Sequence, residues 1–350
     1  MNSMTARITS PAAESLSVRR TMQAVIRDHY GSTDGLQLRQ VDLPTVTGNQ
    51  VLIRVRAAGL DRGAWHIMTG RPYLMRLAGF GLRRPKNLTL GSDVAGMVEA
   101  VGPQVMEFQP GDSVFGTCFG TGNGSFAEYA VARADRLAQM PVNASFEQAA
   151  VVPVSALTAL QALRDHGRVQ LGQRVLIIGA SGGVGSFAVQ IAKAFGAEVT
   201  GVCSTSKVDF VRSLGADEVI DYSATDLADM GERYDLVIDI GGNRPLAQLR
   251  QRLRSNGTLV LVGGEAGNPW TGGIGRQLSA PLISRFVSQR LVAFITRENS
   301  SDLKILAEMI ETGTLTPMID QVCRLTGVAG AMRDLEAGLV RGKVAVAVSP

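Results

Sequence analysis

Ala180, Gly182 and Gly185 hold the three positions of a G-x-G-x-x-G pattern within Arg174-Val-Leu-Ile-Ile-Gly-Ala-Ser-Gly-Gly-Val-Gly185, with alanine replacing the first glycine. A turn of this kind between a strand and a helix binds a pyrophosphate. The middle glycine lets the backbone approach the phosphates, the third lets the helix pack closely on the strand, and the unpaired N–H groups of the first helical turn face the negative charge. Ser181, Gly183 and Val184 complete that backbone. Glycine-rich turns are also ordinary punctuation. What selects the dinucleotide reading is an apolar strand before the turn and an apolar helix after it.

The second strand indicates which dinucleotide. A site selective for NAD carries Asp or Glu at the end of that strand, about 20 residues past the fingerprint, to hold the ribose hydroxyls. After Glu198-Val-Thr-Gly-Val-Cys203 this chain reads Ser204-Thr205-Ser206-Lys207. Hydroxyls followed by a cation suit the 2′-phosphate of NADPH, which a carboxylate there would repel. The same hydroxyls are good caps for a helix beginning near Lys207, and the two roles are compatible.

The elements that position these residues follow from periodicity. Val175 to Ile178 is apolar at successive positions and mostly β-branched, as in a parallel strand buried on both faces. From Val184 the apolar residues Phe187, Ala188, Ile191, Ala192 and Phe195 fall at helical spacing, and Gly196 stands where a C-terminal cap belongs. Further strands are predicted at 198–203, 218–222, 234–240, 258–263 and 290–296, mostly with helices between them, giving a doubly wound parallel sheet over residues 146–314. Its ligand belongs beyond the carboxyl ends of the strands. Gly241 and Gly263 follow two of those ends, where backbone either passes close to a cofactor or simply terminates a strand. From 22 to 145 short apolar strands alternate with Gly, Pro and Asp turns without a long helix, which predicts a β-rich, barrel-like domain. The closing strand Val344 to Val348 is expected to rejoin it, so that 315–350 belongs to the first domain and a cleft lies between the two.

A chain of 350 residues is long enough for two such cores. The net charge of +4 is modest and no basic block is dense enough to argue for nucleic acid. Three distant cysteines, Cys118, Cys203 and Cys323, suggest neither a disulfide framework nor a zinc knuckle, which fits a reducing, cytoplasmic setting. No apolar run reaches the ~20 residues of a membrane span. Residues 1–21 read as a disordered tail, with Arg7, Arg19 and Arg20 leaving a targeting peptide as the alternative.

These motifs together resemble the medium-chain dehydrogenase/reductase superfamily, and within it the zinc-free quinone oxidoreductase branch. The resemblance runs from about Met22 to the C-terminus through Ala57-Ala-Gly-Leu60, Leu90-Gly-Ser-Asp-Val-Ala-Gly96, Pro110-Gly-Asp112, Gly124-Ser-Phe-Ala-Glu-Tyr129, the region around Thr158-Ala159, the fingerprint, and Gly338-Leu-Val-Arg-Gly-Lys-Val344. It implies an α/β chain made of a GroES-like β-rich catalytic domain and a Rossmann doubly wound parallel sheet. Zinc alcohol dehydrogenases of the superfamily have Cys after Ala-Ala-Gly and Gly-His-Glu at 91–93. Here Asp61 and Ser92 replace the Cys and His, and no catalytic or structural zinc is expected. Without that Lewis acid the plausible acceptors are quinones and α,β-unsaturated carbonyls, which spread developing charge by conjugation.

The resemblance also implies site residues. Asp61 stands where zinc-free relatives often carry Asn beside the nicotinamide; it either handles a proton there or satisfies the N–H groups of a turn. Tyr73 lies near the position of a tyrosine proposed as proton donor in related enoyl reductases, with a half-buried packing role as its alternative. His66 is a candidate relay or a satisfied histidine. Thr158 and Asn299 are placed toward the nicotinamide, and Tyr222, with Ser204, Thr205 and Lys207, toward the 2′-phosphate. The basic, apolar segment 68–88 reads as a lid over a lipophilic substrate, which could also touch a membrane surface where quinones partition, or as buried packing with snorkelling arginines. A homodimer is expected through the apolar edge strand Arg290–Thr296. The alternatives to a quinone or enone reductase are an enoyl reductase acting on carrier-bound acyl chains and a non-catalytic NADPH-binding protein.

Overall fold

The computed structural model describes residues 21–227, 231–242, 244–264 and 268–348; the expected tail lies outside them except for Thr21. The β-rich part begins with an antiparallel ribbon of β1 (Thr21–Ile26) and β2 (Gln37–Asp42). It continues with β3 (Gln50–Leu60), helix α1 (Arg62–Thr69), β4 (Asp93–Val101), β5 (Ser113–Thr117), β6 (Tyr129–Arg133) and β7 (Leu137–Gln139). Two helices follow, α2 (Phe146–Ala150) and α3 (Pro153–Gln161). The second part runs β8 (Arg174–Ile178), α4 (Gly183–Ala194), β9 (Glu198–Cys203), α5 (Val208–Ser213), β10 (Glu218–Asp221), β11 (Tyr234–Asp239), α6 (Leu246–Gln251), β12 (Leu253–Leu261), α7 (Ile274–Ile283), β13 (Arg290–Ala293) and α8 (Ser300–Glu311). The chain closes with β14 (Ile319–Arg324), α9 (Val328–Glu336) and β15 (Lys343–Ala347).

The strands of the second part form one sheet in the order β10-β9-β8-β11-β12-β13, every pair parallel. Strand order reverses between β8 and β11, which opens a crevice at their carboxyl ends. The first sheet has the order β14-β15-β3-β4-β5-β7, with β6 also paired to β3. β15 lies antiparallel against β3, Val344 opposite Leu60, so the end of the chain is built into the β-rich sheet beside Ala57-Ala-Gly-Leu60. Between the sheets lies α3, mainly apolar and buried from Ser155 to Gln161, with Ser155, Thr158 and Gln161 spaced along one side. That stripe can be enclosed because each member is hydrogen-bonded, Ser155 to Lys343, Thr158 to Val154 O and Thr296, and Gln161 to Asp302. Ala57, Phe115, Leu157, Leu160, Val175 and Phe187 belong to one apolar cluster that spans both parts. Truncating Leu157 to alanine in such a core costs about 2–5 kcal/mol.

Three elements differ from the sequence expectation. Helix α1 interrupts the β-rich domain; at eight residues it is too short to show a period, although Asp61 caps its start and Gly70, at φ 63°, ends it. β12 begins at Leu253, where the register against β11 is irregular and the pattern of alternation is broken by Ser255-Asn256-Gly257. β13 stops at Ala293, short of Thr296, because β12 offers no partner beyond Leu261.

Candidate functional site

The fingerprint turn folds back on the sheet: the N–H groups of Gly179 and Ala180 both donate to Val202 O, at 3.1 Å each. Gly182 is the N-cap of α4 in extended conformation, and the first bond of the helix runs from Ser186 N to Gly182 O. The N–H groups of Gly183, Val184 and Gly185 therefore precede the helical ladder and point out of its positive end. A Cβ on Gly185 would lie 2.1 Å from Gly179 O, so only glycine lets helix and turn pack this closely. Beside Gly182 the sole atom within 4 Å of such a Cβ is Gly179 O at 3.6 Å, leaving bare backbone open on its outer side. That cradle fits a dinucleotide pyrophosphate. Gly241 N donates to Ile178 O and Gly263 N to Asp239 O, so both glycines sit with the fingerprint at the carboxyl edge of the sheet.

The underside of the turn is held by residues from the other domain. Gly342 N donates to Ser181 O at 2.9 Å. Lys343, on β15, runs beneath the first turn of α4, and a Cβ on Gly183 would lie 2.9 Å from its Cδ. The Lys343 ammonium reaches Asp93 Oδ2 at 3.3 Å and Ser155 Oγ at 3.1 Å, while Asp93 Oδ1 accepts from Val154 N at 3.0 Å. Burial pushes the Asp93 carboxyl up to about 7; Lys343 draws it back and the charge of Asp61 raises it further. Glu298 also lies above the usual carboxylate range through burial, against the pull of Thr117 Oγ1 at 2.8 Å and Arg136 Nη1 at 2.9 Å. Burial and these two acids push the Cys118 thiol up to about 12, which removes it as a nucleophile. Asp93, Ser155, Lys343 and Glu298 carried no role in the sequence reading. Their signal there was slight: an acid inside the apolar Val94-flanked motif, and one of the chain's five lysines at the head of an apolar strand.

The structure distributes the expected site residues unevenly. Asp61 Oδ1 accepts from Ala64 N at 2.8 Å, so this carboxylate caps α1, as the turn alternative has it. His66 lies in the last turn of α1 with Nδ1 2.9 Å from Arg71 O. Thr158 donates to Val154 O at 2.6 Å and meets Thr296 Oγ1 at 2.8 Å, tying α3 to the chain just after β13. Asn299 is the N-cap of α8: Oδ1 accepts from Asp302 N and Ser301 Oγ, and Nδ2 donates to Arg297 O and Asp302 Oδ2. Both ends of its amide are engaged in that cap.

At the expected 2′-phosphate end, Lys207 Nζ donates to Gly338 O and Val340 O, each at 2.7 Å, and burial lowers its pKa. The cation thus clasps the 338–340 loop with two of its three N–H groups. Thr205 hydrogen-bonds to the Asp221 carboxyl at the end of β10, holding it below the usual range together with Ser223 N. A carboxylate does stand here, on the neighbouring strand rather than on β9 where it was sought. Tyr222 follows it, exposed, with its N–H on Cys203 O.

Tyr73 belongs to a stack that crosses the cleft. Its ring meets Trp270 edge to face at 5.3 Å, and its N–H donates to Pro269 O. The Arg76 guanidinium lies between Tyr73 and Tyr30, at 4.6 and 4.3 Å from their centroids, and Arg27 covers Tyr30 from beyond, at 5.7 Å.

Residues 47–142 match the family described as alcohol dehydrogenase GroES-like domain, and 214–346 that described as zinc-binding dehydrogenase. The residues do not fit the zinc of that second description. Asp61 caps α1, Asp93 faces an ammonium, and among the described residues no group of three His, Cys, Asp or Glu is arranged to hold a metal. The chain is 31% identical over 339 residues to a chloroplast envelope quinone oxidoreductase homolog of Arabidopsis thaliana, covering 93% of this chain and 98% of that protein. It is 33% identical over 359 residues to the mitochondrial NAD(P)H oxidoreductase RTN4IP1 of Mus musculus, covering 93% and 89%. Among solved structures, the quinone oxidoreductase from Coxiella burnetii superposes with a TM-score of 0.82 at 29% identity, over 94% of this chain and all of that one.

Proposed function

The chain belongs to the medium-chain dehydrogenase/reductase superfamily, among the homologues of quinone oxidoreductases, and from that premise we propose that it is a zinc-independent, NADPH-dependent reductase of quinones or α,β-unsaturated carbonyls. The observation that carries the reading is the open cradle at Gly182, with Lys343 beneath it and, among the described residues, no donor set for a Lewis acid. NADPH, when bound, supplies the hydride for a conjugated acceptor.

The protein's own part is to bind and orient. The N–H groups of Gly183 to Gly185 receive the pyrophosphate, and the remaining N–H of Lys207, with Ser204, Thr205 and Tyr222, receives the 2′-phosphate. Thr158 lines the nicotinamide end. A conjugated acceptor delocalises the added charge, so hydrogen-bond donors suffice where a simple aldehyde needs a metal. Asp61, His66 and Tyr73, on and after α1, line the β-rich side of the cleft and manage the proton.

The test is NADPH oxidation by the purified protein with quinones, enones and simple aldehydes, with NADH and chelator controls. Chelator-resistant turnover of quinones or enones, but not aldehydes, is expected. Turnover of simple aldehydes that a chelator abolishes would overturn the reading.

The proposed assembly is a homodimer. β13 is the last strand of its sheet, and beside it Leu278, Leu282, Phe286 and Ile295 are exposed. An unpaired apolar edge favours pairing with a second copy across a two-fold axis. Light scattering giving a monomer at micromolar concentration would remove this idea. No helix among the described residues is long and apolar enough to cross a membrane, and the proposed setting is the cytoplasm.

A further inference from the structure

From Arg62 to Ser92 the chain contains no Asp or Glu, yet it carries Arg62, Arg71, Arg76, Arg83, Arg84 and Lys86. Two of these cations are used internally: Arg62 lies over Trp65, and Arg76 donates to Gly70 O and Thr69 O within the aromatic stack. Arg71, Arg83, Arg84 and Lys86 are exposed. Residues 80–86 form a closed loop, with Lys86 N donating to Phe80 O at 3.0 Å and the Tyr30 hydroxyl reaching Phe80 O and Gly81 O at 2.8 Å. The loop is tight enough that a Cβ on Gly81 would fall 2.1 Å from Arg84 O, and buried Pro85 roots it. Its tip is left with Leu82, Arg83 and Arg84, and the preceding turn presents Leu77. Leu77 is 69% and Leu82 62% exposed, with Leu74 and Leu88 exposed nearby.

Leucines held in water beside cations, with no acid in the segment, leave both kinds of group uncompensated. We propose that this lid docks on a bilayer surface rich in anionic phospholipid, with Leu77 and Leu82 at the acyl boundary and Arg83, Arg84 and Lys86 at the level of the phosphates. Earlier in the same segment Tyr73 N and Leu74 N donate to Pro269 O and Trp270 O, and the Tyr73 ring meets Trp270, so docking would bring the membrane beside the mouth of the cleft. The inference does not depend on which acceptor is reduced.

Co-sedimentation of the full chain with phosphatidylcholine vesicles, and with vesicles of phosphatidylcholine and phosphatidylserine in equal parts, tests it at low and high salt. Binding is expected to the anionic vesicles alone and to fall as salt rises. Each near-surface cation is worth about fivefold in partitioning, so R83Q/R84Q/K86Q should lose roughly a hundredfold. L77N/L82N should also lose binding, whereas M106Q, at an exposed methionine outside the lid, should not. All these side chains are exposed, so unchanged thermal midpoints certify the fold. No binding to anionic vesicles, equal binding to neutral ones, or full binding by either lid variant overturns the proposal. Loss with the charge variant alone would show adsorption by charge without leucine insertion and also overturn it.

Discussion

Lys343 Nζ lies 3.3 Å from Asp93 Oδ2, in a pair closed off from solvent and 250 residues apart in sequence. The pair sits under the first turn of α4, so it joins the β-rich sheet to the cofactor cradle. Removing one partner leaves the other buried without a countercharge. D93N and K343M should each lower the unfolding free energy by about 3–5 kcal/mol, and D93N/K343M should lose much less than their sum. Additive losses in urea unfolding would show that the two groups do not act together.

Asp93 also sets a pH dependence. Its carboxyl is near 3.9 in the unfolded chain and is pushed up to about 7 by burial in the folded one. Between those values the folded state holds the extra proton, so stability falls as pH rises, by at most about 1.4 kcal/mol per pH unit from this group. Chemical denaturation from pH 4.5 to 7 should give a shallower slope in D93N/K343M than in the natural chain. Identical slopes would place the titration elsewhere.

The two glycines of the cradle should fail differently. G185A forces a Cβ to 2.1 Å from a backbone carbonyl and should destabilise the whole domain. G182A meets nothing closer than 3.6 Å and should cost only the ~1 kcal/mol that separates Gly from Ala at a helix N-cap, a shift of a few degrees in its thermal midpoint. Its new methyl falls where the pyrophosphate would rest, so its NADPH dissociation constant should rise by about tenfold or more, about 1.4 kcal/mol. Equal NADPH affinity in G182A, measured by fluorescence titration, would move the phosphates off this backbone.

Lys207 tests the nucleotide preference. K207E replaces the donor with a carboxylate near Asp221, and the dissociation constant for NADPH should rise far more than that for NADH. The lost clasp on Gly338 and Val340 weakens both cofactors alike, so the ratio of the two constants is the readout. An unchanged ratio would sink the 2′-phosphate assignment.

Asp61 can be separated into cap and catalyst. D61A should cost about 1 kcal/mol through the lost cap on α1, while D61N, whose carbonyl can still accept from Ala64 N, should be nearly as stable as the natural chain. If the carboxylate moves a proton during reduction, D61N lowers kcat without that stability loss. Full activity in D61N would confine Asp61 to the helix end.

Where local sterics decide, the sequence was informative. A glycine-rich turn between a β-branched run and an amphipathic helix has few alternatives, and the parallel strands from Val175 to Val292 are apolar enough to declare themselves. Pairings across the chain were not legible, because nothing near Asp93 names Lys343 and nothing near Lys207 names the carbonyls 131 and 133 residues away. Asn299 shows a different omission. Asn299-Ser-Ser-Asp302 has the spacing of a helix cap, a local signal that was passed over in favour of the resemblance.

Of the four contacts in the stack from Arg27 to Trp270, only Tyr73 against Trp270 passes from one domain to the other. Parting it wets two aromatic surfaces and strands no ion, since both guanidiniums stay with the β-rich side. A junction of that kind is worth about 1 kcal/mol beyond its area. The cost of parting those rings is governed by the thermometer and is nearly blind to ionic strength, weakening as the solution is cooled.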